Sequence, residues 1–86
     1  MGEVLRVNGF KVVIFSDDHN PPHVHIRKGG FEVKIDISGE HAKLISGEGK
    51  SRRASDKKLR KQAMKIADDN LQVLMEEWKR IDAERS

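Results

Sequence analysis

The chain has 86 residues, of which 36% are apolar and 36% charged, and a formal net charge of +3. That length supports one small domain with one core, whose weak stability makes a homodimer an expected state. The absence of cysteine excludes disulfides and thiolate metal sites. No apolar run approaches membrane-spanning length and no basic-then-apolar leader opens the chain, so a soluble cytoplasmic protein without membrane contact is expected.

The first half reads as a meander of strands. Leu5 and Val7 lead into Asn8-Gly9, and Phe10 to Phe15 follow as a nearly continuous apolar run. Asn-Gly between apolar runs is a strong hairpin signal, because both central turn positions need positive φ. The second strand is apolar at nearly every position and is expected to be central, or buried on both faces.

Asp18-His19-Asn20-Pro21-Pro22-His23-Val24-His25 comes next and holds three of the four histidines. The prolines stiffen the approach to His23. His23 and His25 are two apart on a strand and share a face. His-x-His on a strand can chelate a divalent metal, with His19 and Asp17, Asp18 or Asp36 completing the shell. A rigid turn with His23 hydrogen-bonded to Asp36 explains the same residues without chemistry.

A Gly29-Gly30 turn sets the following register. Lys28 then faces Phe31, Ile26 faces Val33 and Val24 faces Ile35 on an apolar face. On the polar face Arg27 meets Glu32, His25 meets Lys34 and His23 meets Asp36. A turn at Gly39-Glu40 places Ile37 opposite Ala42, Ile35 opposite Leu44 and Asp36 opposite Lys43. His23, Asp36 and Lys43 then form a row on a face whose imidazoles point to water. The expected strands are 3–7, 10–16, 23–28, 31–38 and 41–46. His41 sits beside a turn and is expected to be solvated.

Residues 47–54 read as a flexible linker. From Ser55, a natural N-cap, the period becomes helical to about residue 83, with Leu59, Ala63, Ile66, Asn70, Leu74, Trp78 and Ile81 on one stripe. Such a helix is about 40 Å long at roughly 1.5 Å per residue, longer than a small sheet needs. A break near Asp68-Asp69-Asn70, or an end that reaches a partner, is expected. Trp78, Leu74 and Met75 read as core.

Charge is polarised. Residues 50–65 carry eight Lys/Arg against Asp56 alone, whereas residues 66–86 carry three basic and six acidic groups. Cations at a helix start oppose its dipole, so helix stability does not explain the order. The run suits phosphate or an acidic partner, or else is a solvated face held by packing elsewhere. With Phe10, Phe15, Phe31 and Trp78 as the only aromatics, no platform for stacking bases is read, and contact would fall on the backbone. Phosphate-binding glycine loops and recognisable nucleophile motifs do not occur.

At these residues the chain resembles a small prokaryotic family, the domain of unknown function 4160. The resemblance lies in Asp18-His19-Asn20-Pro21-Pro22-His23-Val24-His25-Ile26-Arg27, then Phe31-Glu32-Val33, and a helix end reading Leu74-Met75-Glu76-Glu77-Trp78. It covers about residues 10 to 80. The chain departs from the family pattern at Lys28, where tyrosine is common, and near Ile66-Ala67, where a second tryptophan is common. The resemblance implies a toxin–antitoxin-like component encoded beside a partner protein, with no established activity.

The expected fold is α+β, an antiparallel meander of about five strands with a long C-terminal helix, broken near Asn70, on one face. The expected function is an interaction module that binds a partner protein, or nucleic acid by backbone contact. Its binding residues are Arg27, Arg52, Arg53, Lys57, Lys58, Arg60 and Lys61. His23 and His25 are the candidates if the protein catalyses, since imidazole titrates near neutrality. Alternatives are a metal-binding domain using His19, His23 and His25 with a divalent ion, and a purely structural dimerising domain.

Overall fold

Apolar runs rich in β-branched residues, punctuated by two-residue turns, zip into one sheet. The computed structural model describes residues 2–15, 21–47 and 54–85. Strands β1 (Gly2–Val7), β2 (Phe10–Ile14), β3 (His23–Lys28), β4 (Phe31–Asp36) and β5 (Lys43–Gly47) are antiparallel and lie side by side in chain order. Helices α1 (Ala54–Asp69) and α2 (Leu71–Arg85) follow. None of the described helices is long and apolar enough to cross a membrane.

Turn chemistry sets the pairing. Asn8 and Gly9 both take positive φ, 50° and 83°, as a twist-compatible hairpin turn requires, and Val7 pairs with Phe10 across them. Gly29 has φ 59° and Gly30 does not share it, the pattern of a turn with its first central residue left-handed. The β3–β4 register is the expected one at all six pairs, from Lys28 with Phe31 to His23 with Asp36. Ile35 with Leu44 and Asp36 with Lys43 also hold.

Several boundaries differ from the expected ones. β2 ends at Ile14 and β4 at Asp36, and β5 runs from Lys43 to Gly47 rather than from residue 41. The β4–β5 connection is therefore wider than a tight turn at Gly39-Glu40. Asp36 closes its near side by accepting hydrogen bonds from the Ser38 hydroxyl and N–H at 2.6 and 2.7 Å. Gly47 belongs to β5 and Ala54 to α1, so both ends of the expected linker are structured, and residues 48–53 lie outside the described ones. Because α1 starts at Ala54, Ser55 lies inside its first turn and is not the N-cap.

Both helices cover the face formed by Val12, Ile14, Val24, Ile26, Val33 and Ile35, with Ala63, Ile66, Ala67, Leu74 and Trp78 supplying the helical side of the core. The expected helix break is present at Asn70. Its N–H reaches back to the Ala67 carbonyl at 3.3 Å, a tightened last turn, and its side-chain amide donates to the Ile66 carbonyl at 2.8 Å. Its own carbonyl then accepts from Leu74 N–H and starts α2. The break folds Leu74 and Trp78 back onto the sheet.

Candidate functional site

β3 alternates. Val24 and Ile26 point to the helices, so His25 and Arg27 point to the opposite face. The expected row His23–Asp36–Lys43 is formed by the register. Its imidazoles, however, do not point to water. His23 is 6% exposed, and the His25 side chain is 12% exposed. Neighbouring rings pack against them. The His23 ring lies 5.4 Å from that of Trp78 and 5.3 Å from that of His25, and Phe15 stands edge-on to His25 at 4.6 Å. Arg27 continues the series, its guanidinium carbon 5.4 Å over Phe15.

Hydrogen bonds fix how the rings sit. His23 Nδ1–H donates to the Pro21 carbonyl at 2.8 Å. A carbonyl only accepts, so the proton is on Nδ1. His25 Nδ1 lies 3.3 Å from Glu32 Oε2, and Arg27 Nε donates to Glu32 Oε1 at 3.0 Å. Glu32 thus serves both, which offsets the like-charge pairing of Lys11 with Arg27 across β2 and β3. Asp36 accepts from Ser38 rather than being committed to His23. The Ser38 hydroxyl and amide, with Lys43 and His23 nearby, hold its carboxyl below the ordinary 3.8.

A family model described as a domain of unknown function, DUF4160, matches residues 9–79. The chain belongs to this family. No curated protein and no solved structure matches it. The match to DUF4160 spans both the Pro-Pro-His-Val-His stretch and Trp78, and the fold gives the physical link between them: Trp78, 4% exposed, covers His23. Two segments more than fifty residues apart in sequence make one buried aromatic cluster.

The remaining expected site residues divide. Lys57, Lys58 and Lys61 are exposed and Arg60 is half-buried, all on the N-terminal half of α1. Among the described residues none of these four enters an ion pair, in contrast to Arg80 of α2, which is bridged by Glu77 and Glu84. Lys65, one turn on, lies 3.3 Å from Asp69. Arg27 is not on this surface, since α1 covers the sheet face opposite to it. His19, Arg52 and Arg53 fall outside the described residues. Among the described residues no three His, Asp or Glu side chains gather as a metal site. His41 is exposed as expected and lies 3.4 Å from Asp68. Asp68 also accepts the Ala42 N–H at 2.9 Å, which holds its carboxyl below the ordinary range and ties the β4–β5 connection to α1.

Sequence reasoning missed Glu32 as the partner of His25. The signal was present: once Arg27 opposes Glu32, His25 is the diagonal neighbour on the same face. It also missed Phe15 and Trp78 as the cover of the imidazoles. Trp78 carried no such signal, because its helical spacing reports only that it is core.

Proposed function

We propose that this protein is an interaction module that binds nucleic acid through phosphate contacts along the outer surface of α1, with little sequence preference. The observation that carries the reading is the set Lys57, Lys58, Arg60 and Lys61, presented by one helix and without carboxylate partners among the described residues. Four cations in the first half of a helix repel one another and oppose its dipole. A phosphate backbone relieves both penalties. In the toxin–antitoxin-like setting that the resemblance implies, the module holds nucleic acid rather than cutting it. The imidazoles that cleavage would need are buried under Trp78 and Phe15.

The test is a fluorescence-anisotropy titration of a labelled RNA at two salt concentrations. With about three phosphates of a single strand neutralised, the slope of log K against log salt is near −2, and affinity falls about 20-fold between ~50 and ~200 mM. Lys57→Glu with Lys61→Glu should lower affinity and flatten the slope. Binding indifferent to salt, or unchanged in the double variant, overturns the reading.

A further inference from the structure

A cleft opens between the β1–β2 turn, the end of β3 and the second half of α1. Its volume is about 400 Å³, within the roughly 300–1,000 Å³ of small-molecule sites. Val7, Phe10 and Ile66 form an apolar wall, and the last two belong to the core, so the wall is rigid. The lip is polar. Asn8, Gln62 and Asn70 bring carboxamides, and Lys28 and Lys65 bring ammonium groups. The Lys28 Nζ is held 4.8 Å over the Phe10 ring, with its stem beside Gly9. Asp69 takes part of the Lys65 charge at 3.3 Å, so the lip keeps two cations against one carboxylate.

The cleft continues the cationic surface of α1. Lys58, Gln62, Lys65 and Asp69 recur at steps of four, three and four, so they lie along one stripe of the helix. A strand whose phosphates follow Lys58, Lys61 and Lys65 passes the mouth of the cleft.

We propose that this cleft receives one unstacked nucleobase of a single-stranded nucleic acid whose phosphates lie along α1. The inference rests on the proposed function and adds base recognition to it. The aliphatic part of the wall, Val7 and Ile66, takes the plane of the base. Carboxamides both donate and accept, and so match the mixed hydrogen-bonding edge of a base. Lys28 covers the Phe10 ring, so recognition falls on the edge of the base rather than on stacking. Single strands are favoured over duplex because only an unpaired base leaves its stack at little cost.

The experiment compares a labelled oligouridine with an abasic strand of equal length and phosphate number, against the full chain and Gln62→Ala. Gln62 is exposed, so its truncation spares the core. The base-bearing strand should bind about tenfold more tightly than the abasic one, and Gln62→Ala should remove most of that difference without changing abasic affinity. Uridine monophosphate followed by NMR should shift the side-chain amides of Asn8 and Gln62, whereas inorganic phosphate should not. Equal, salt-dependent affinity for both strands overturns the cleft proposal and leaves the helix reading standing. Failure of both strands to bind overturns both.

Discussion

His23 shows how one side chain joins distant parts of the chain. Pro21 and Pro22 fix the approach, the Pro21 carbonyl takes the Nδ1 proton, and Trp78 covers the ring. His25 is held in the same manner by Glu32 and Phe15. An imidazole hydrogen-bonded through Nδ1 and packed against a neighbouring ring belongs to the packing of the molecule. His23→Gln should therefore destabilise the fold by about 1–3 kcal/mol, read from the urea midpoint, because glutamine cannot reproduce both the ring contact and the short bond to Pro21. A midpoint indistinguishable from the parent protein would return His23 to the list of freely replaceable, and hence functional, groups.

At the scale of elements, the two edge strands and the helix break carry the irregularities. β1 is out of step between Glu3 and Leu5, and β5 between Leu44 and Ser46, where Ile45 is the extra residue. A bulge in each edge strand twists it away from a flat template and discourages edge-to-edge pairing. The bulge also leaves Ile45 44% exposed, which alternation alone does not explain. The break at Asn70 depends on a side chain that occupies the Ile66 carbonyl. Asn70→Ala removes that donor while keeping a residue that favours a helix. It should cost about 1 kcal/mol in urea denaturation and speed amide exchange at Leu74. Unchanged stability would mean that the sheet surface alone turns the helix.

At the scale of the whole molecule, the sheet separates two surfaces. One face carries the helices and, outside them, the cations; the other carries the buried histidine row, Arg27 and Glu32. Nucleic-acid affinity should therefore follow α1 and not β3. His25→Gln, compared with the parent at equal folded fraction and fixed salt, should leave RNA affinity within about twofold, while Lys57→Glu with Lys61→Glu lowers it at least tenfold. A loss of affinity in His25→Gln as large as that of the lysine pair would place the binding surface across both faces.

The sequence alone determined the sheet. Its strands, two turns and the β3–β4 register follow from short-range chemistry: positive φ at Asn8 and Gly9, a double glycine, and an alternation that a one-residue slip would scramble. The helix break near Asn70 was legible for a different reason, since one uninterrupted helix of about 40 Å outreaches a small sheet. Only the tertiary structure decided which way the imidazoles face. Alternation assigns His23 and His25 to the side away from the aliphatics, but it does not reveal that Phe15 packs against His25 there or that Trp78 of the core comes within 5.4 Å of the His23 ring. Burial is the sum of everything that arrives from elsewhere in the chain, and no local spacing encodes where Trp78 comes to rest. The cleft at Asn8, Lys28 and Gln62 was hidden likewise, because each of its walls belongs to a different element.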